Sequence, residues 1–122
     1  MTIVVMADDD PRLRGLVRAT IAADEYTLLE AEDGDAAWAL IQQHQPALAL
    51  LDIDMPGRSG LELARAIRSD PRLAAVRVIL LTGWDDPADV AAGRAAGADW
   101  YLTKPFSPLE LLATLEQALG PA

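Results

Sequence analysis

Five short apolar runs, each followed by a segment of helical spacing, constrain this 122-residue chain more than any other feature. The runs are Ile3 to Ala7, Tyr26 to Ala31, Ala47 to Leu51, Val76 to Leu81 and Trp100 to Thr103. Three are nearly continuous in apolar residues, which is the pattern of parallel strands covered on both faces. Between them the apolar residues recur at three- and four-residue intervals. Leu13, Leu16, Val17 and Ile21 share one helical face, as do Ala37, Leu40 and Ile41, and later Leu112, Leu115 and Leu119. Strict alternation of this kind predicts five strands and five helices in an α/β fold. That fold is a (βα)5 doubly wound parallel sheet with right-handed crossovers and a helical layer on each side, a three-layer α/β/α arrangement.

The helix starts are marked in the sequence. Asp10-Pro11 and Asp86-Pro87 each place a capping carboxylate before a proline at the first helical position. Ser59 with Glu62, and Ser107 with Glu110, fit the capping-box spacing. Gly97 fits a helix stop before the last strand.

In doubly wound sheets, ligands bind beyond the carboxyl ends of the strands. Those ends carry Asp8, Asp9 and Asp10 after the first run, Asp52 after the third, Thr82 after the fourth and Lys104-Pro105 after the fifth. Carboxylates gathered in one pocket repel one another unless some are protonated or a cation holds them. A hard cation with oxygen ligands, Mg²⁺ above all, is the natural partner of such a group. Asp10, followed by Pro11, reads as a helix N-cap rather than a ligand. For Asp8 and Asp9 the alternative is a solvated acidic loop. For Asp52 it is an ordinary solvated strand end. The functional reading makes Asp52 a carboxylate nucleophile for phosphoryl transfer, with a metal, Lys104 and Thr82 neutralising or binding the phosphoryl oxygens.

Charge and composition narrow the choice. A formal net charge of −9 disfavours nucleic-acid binding by this domain alone, because phosphate contacts need Lys and Arg. It suits a cation-binding domain, or simply a solvated acidic surface. The chain has no cysteine, which excludes disulfides and thiolate metal sites. The short apolar start lacks a basic leader, and no stretch has the length of a membrane-spanning helix, so a single cytoplasmic domain over 1–122 is expected.

These residues together carry a resemblance. Asp8-Asp9-Asp10-Pro11 with Arg14, Leu51-Asp52-Ile53-Asp54-Met55-Pro56 with Gly60, Leu81-Thr82-Gly83, Gly97-Ala98 and Tyr101-Leu102-Thr103-Lys104-Pro105-Phe106 resemble, in order and spacing, the CheY-like receiver domains of bacterial two-component response regulators over essentially the whole chain. The resemblance implies a flavodoxin-like strand order of 2-1-3-4-5. It implies phosphorylation of Asp52 and Mg²⁺ (or Mn²⁺) held by the side chains of Asp9 and Asp52 and the backbone carbonyl of Asp54, with Asp8 acting in the same acidic site. Lys104 would pair with the phosphoryl group and precede a cis-peptide at Pro105. Thr82 would turn its hydroxyl to the phosphoryl group, and Tyr101 would move inward into the space vacated. The partners implied are a histidine kinase or phosphotransfer protein as donor, and an output domain or target protein downstream. Homodimerisation is possible, and catalysis is limited to the domain's own phosphorylation and dephosphorylation. His44, the sole histidine, falls on the second helix and is expected at the surface.

Some positions depart from the family's habit. Gly83 stands where alanine is usual, and Trp84 borders the site, where its bulk is expected to shield a phosphoryl group from water. Val90, Ala95 and Trp100 replace the charged residues with which the winged-helix branch pairs its subunits, although the segment from Lys104 to Leu111 resembles that branch. Three rival readings stay open at this point. A Mg²⁺-dependent phosphatase of the haloacid-dehalogenase type would use Asp52-Ile53-Asp54, but its Asp-x-Asp follows the first strand and its acidic pair comes last. A flavodoxin would need phosphate-cradling amides where Asp8, Asp9 and Asp10 stand. A receiver-like module could bind partners without being phosphorylated.

Overall fold

The computed structural model describes residues 2–22, 26–83 and 87–120. It consists of β1 (Thr2–Ala7), α1 (Pro11–Ile21), β2 (Tyr26–Ala31), α2 (Gly34–His44), β3 (Leu48–Asp52), α3 (Gly60–Ser69), β4 (Arg77–Thr82), α4 (Pro87–Ala95), β5 (Trp100–Thr103) and α5 (Pro108–Leu119), with a 3-10 turn at Pro71–Leu73. The strands form one parallel sheet in the order β2-β1-β3-β4-β5. The third and fourth strands lie one residue later than the apolar runs suggest, so Asp52 and Thr82 are the last residues of β3 and β4 rather than the first of the following loops. Each is held in the ladder by a backbone pairing, Asp52 with Leu81 and Thr82 with Thr103.

Two apolar layers sandwich the sheet. Val5, Ala7, Ala49, Leu51, Val78 and Leu80 point to one side, where they meet Ala37 and Ile41 of α2 and Leu63, Ala64 and Ile67 of α3. Val4, Met6, Leu48, Leu50, Ile79 and Leu81 point to the other, onto Val17 and Ile21 of α1 and Leu111 and Leu115 of α5. The period-two division along each strand, set against a period near 3.6 in each helix, makes this packing possible. All of β3 is buried, which explains its unbroken apolar run.

Capping fixes where the helices begin. The Asp10 carboxylate accepts from the Arg12 N–H ahead of α1, and Asp33 accepts from Ala36 N–H ahead of α2. At α5 the Ser107 and Glu110 side chains and backbones bond reciprocally. At α3 the Ser59 hydroxyl accepts from the Glu62 N–H, 3.2 Å, and also donates to the Glu62 carboxylate, 3.5 Å. Gly97 has φ +94° and follows the end of α4, the left-handed conformation that ends helices at glycine. His44 is exposed. Asp86 lies outside the described residues.

Candidate functional site

Sheet register assembles the site. Ala7 pairs with Leu51, which sets Asp8 abreast of Asp52. Asp52 pairs with Leu81, which puts Thr82 one step further along. Thr82 pairs with Thr103, and Lys104 follows, its N–H donating to the Thr82 carbonyl at 2.7 Å. Four chain segments far apart in sequence thus deliver Asp8, Asp52, Thr82 and Lys104 to one edge.

Charge is concentrated there under little solvent. Asp8 is fully buried, Asp52 is 6% exposed and Thr82 is 4% exposed, whereas Asp9 and Asp54 are exposed. The Lys104 ammonium lies 2.7 Å from Asp8 Oδ2 and 3.2 Å from Asp52 Oδ2, bridging the two carboxylates. Asp8 Oδ1 accepts from the Asp10 N–H at 2.9 Å, and Asp52 Oδ1 accepts from the Asp54 N–H at 3.3 Å. Arg14, on α1, donates from Nη1 to the Asp8 carbonyl at 2.6 Å and fixes the loop from behind.

One lysine does not balance this set. Burial, then the charge of Asp8, pushes the Asp52 carboxyl up from 3.8 to about 6, against the opposing pull of Lys104. Burial by itself would lower the Lys104 ammonium, but its close contact with Asp8 and the charges of Asp52 and Asp8 outweigh burial and raise it. Asp8 Oδ2 is buried and, although close to Lys104, receives no well-directed hydrogen bond. Asp8, Asp9 and Asp52 each offer a carboxylate oxygen within 4.8 Å of the others. An under-coordinated buried oxygen beside two further carboxylates is a donor set that fits a hard divalent cation.

The loop from β3 to α3 completes the rim. The Gly60 N–H donates to the Ile53 carbonyl, and a side chain at Gly60 would collide with the Asp52 carbonyl. On the opposite flank the Gly34 N–H donates to the Pro56 carbonyl at 2.9 Å, and a methyl on Gly34 would overlap the Arg58 carbonyl. The Arg58 guanidinium stacks on Trp38, 5.3 Å from the ring centre, and sits 3.7 Å from Asp35. This docking of the loop on α2 went unread in the sequence. Its one sequence signal is a glycine directly after the capping Asp33.

Tyr101 lies on β5, half-buried against the α2–α3 side of the core. The Lys104-Pro105 peptide is cis. Gly83 is exposed, with open space where a methyl would stand, so the usual alanine would fit. Ala95 is exposed and Trp100 half-buried. Trp84 and the Val90 side chain lie outside the described residues. Among the described residues, no helix is long and apolar enough to cross a membrane.

Comparisons with known proteins agree on one family. The model of the response regulator receiver domain matches residues 4–116. The phosphate regulon transcriptional regulatory protein PhoB of Pseudomonas aeruginosa is 38% identical over 116 residues, 95% of this chain and 51% of that protein. The chain thus spans about half the length of the curated relatives it matches. Among solved structures, the chemotaxis response regulator CheY4 of Vibrio cholerae superimposes with a TM-score of 0.92 at 32% identity, covering 98% of this chain and 99% of that one. The receiver domain of sensor histidine kinase PA1611 of Pseudomonas aeruginosa, with a magnesium ion coordinated in its active-site cleft, gives 0.88 at 25% identity, covering 98% of each.

Proposed function

This chain belongs to the response-regulator receiver family of two-component signalling, and from that membership we propose that it is a phosphoacceptor switch whose acceptor is Asp52. The observation that carries this reading is the buried Asp52 carboxylate, bridged to Asp8 by Lys104 and sharing a ring of oxygens with Asp9. Asp8, Asp9, Asp52 and the backbone carbonyl of Asp54 would hold Mg²⁺ or Mn²⁺. Bound there, the ion would supply positive charge for the phosphoryl oxygens and offset the burial and the Asp8 charge that raise the Asp52 carboxyl.

The chain's own residues perform the rest. An ionised Asp52 oxygen attacks phosphorus in line; the P–O bond forms as the P–N bond of a donor phosphohistidine breaks, and the departing imidazole nitrogen takes up a proton. Lys104, freed from part of its pairing with Asp52, turns its ammonium to the new phosphoryl oxygens. The Thr82 hydroxyl donates to one of them, and Tyr101 follows Thr82 inward. The phosphoryl group thereby favours one conformer through contacts made only there, and the change reaches the face formed by α4, β5 and α5. The donor is a histidine kinase or phosphotransfer protein, the recipient an output domain or target protein in the cytoplasm, and homodimerisation is a further form of output. Family membership leaves the phosphatase and flavodoxin readings without support.

The test is incubation with acetyl phosphate and Mg²⁺ followed by intact-mass measurement, with Asp52→Asn alongside. A single phosphoryl adduct that needs the metal and is lost in the mutant is the expected outcome. No adduct with acetyl phosphate, and none with phosphorylated histidine-kinase domains, would instead make the domain a binding module.

A further inference from the structure

Gly93 lies inside α4 and is buried. Glycine in a helix interior is less favourable than alanine, so its missing side chain invites the question of what uses the space. A methyl built on Gly93 would fall on the Tyr101 hydroxyl, 2.6 Å from Tyr101 Cε1 and 2.8 Å from Leu80 Cδ1. Position 93 and the Tyr101 ring therefore compete for one volume. The obstructing atoms are side-chain ends. At Gly34 and Gly60 they are instead backbone atoms of Arg58 and of Asp52 and Ile53. A methyl at 93 could thus be admitted without prising α4 from the sheet, provided the tyrosine ring leaves.

We propose that Gly93 is the seat of the switch tyrosine, a positioning residue that lets the Tyr101 ring lie inward between α4 and β5 and so sets the balance between ring-in and ring-out conformers. The placement links the seat to the acceptor edge. Tyr101 pairs with Leu80 in the sheet, and Leu80 lines the same notch two residues before Thr82. A methyl at position 93 penalises the state that needs the ring inside. Phosphorylation draws the ring inward in the phosphoacceptor reading, so linkage requires that the same substitution weaken the phosphorylated form relative to the free one. The coupling to Asp52 rests on the phosphoacceptor reading; the occupancy of the seat does not.

Two readouts separate the parts. The chain has two tyrosines, so 3-fluorotyrosine labelling gives two fluorine resonances, assigned with Tyr26→Phe. In Gly93→Ala the Tyr101 resonance should move toward that of solvent-exposed fluorotyrosine while Tyr26 stays in place. Beryllium fluoride with Mg²⁺, a phosphoryl mimic, should bind Gly93→Ala at least about five-fold more weakly. In a Tyr101→Ala background the same substitution should change nothing. An unmoved Tyr101 resonance, tighter binding, or equal weakening with and without the tyrosine would overturn the proposal. Should Gly93→Ala fold poorly, Gly93→Ala/Tyr101→Ala must recover the stability of Tyr101→Ala, and failure to do so overturns it as well. If wild type binds no beryllium fluoride, the phosphoacceptor reading and the coupling fall with it, while the fluorine resonance still decides whether Gly93 seats the ring.

Discussion

At the scale of single residues, Asp52 carries an electrostatic penalty in the folded chain. It is buried and faces Asp8, with Lys104 as the countering cation. Its folded carboxyl lies near 6 against an ordinary 3.8. A raised carboxyl binds its proton more tightly in the folded state, so its contribution to stability is full below about 4 and is lost as pH rises through about 6. In EDTA, wild type should therefore lose stability over that window. Asp52→Asn should lose less and should melt higher than wild type at pH 7.5; equal melting temperatures at pH 7.5 would contradict this account. Asp8, Asp9, Asp52, Thr82 and Lys104 were legible in the sequence because apolar runs mark strands and strand ends mark the ligand edge. Arg14's bond to the Asp8 carbonyl and the Gly93 notch were not. Both depend on which side chain crosses to which backbone after folding, and no periodicity records that.

At the scale of elements, one connection frames the site and a second ties the opposite edge of the sheet. Gly34 lets the β3–α3 loop rest on the start of α2, and that loop carries Asp54. Because the obstruction at Gly34 is backbone, Gly34→Ala must displace the loop. Mg²⁺ affinity, followed by tryptophan fluorescence, should fall roughly ten-fold, as expected if the proposed ligand Asp54 loses the support behind it. Unchanged affinity would show that the Gly34 contact does not govern the loop. Arg68 forms the second connection. From α3 it donates to the Gly97 carbonyl at 2.9 Å, the Val76 carbonyl at 2.6 Å and Asp99 at 2.7 Å, while Asp99 also accepts from the Val78 N–H. Arg68→Ala strands these acceptors and should cost about 2 kcal/mol in urea unfolding. Arg68→Lys should recover less than half, because a point cation cannot span acceptors placed for a planar fork. Helix starts were readable from Asp10, Ser59 and Ser107, since capping is local. The Arg68 knot was not, since its partners are as many as 31 positions away in sequence.

At the scale of the whole molecule, alternation of strands and helices foretold the layers, and the buried β3 between β1 and β4 follows from its unbroken apolar run. The one-residue offset at Asp52 and Thr82 arose because backbone pairing continues past the last apolar side chain. The sheet also distributes compliance unevenly. Tyr101 sits on β5, which has four residues and, among the described residues, one hydrogen-bonded neighbouring strand. Amide hydrogen exchange should accordingly be fastest, within the sheet, along β5 and slowest in β1 and β3, where opening requires global unfolding. Equal protection across all five strands would contradict this. A marginal strand carrying the tyrosine leaves the perimeter of the sheet free to move while the acidic residues stay fixed at the ends of the interior strands, so one face of the molecule can shift without disturbing the other.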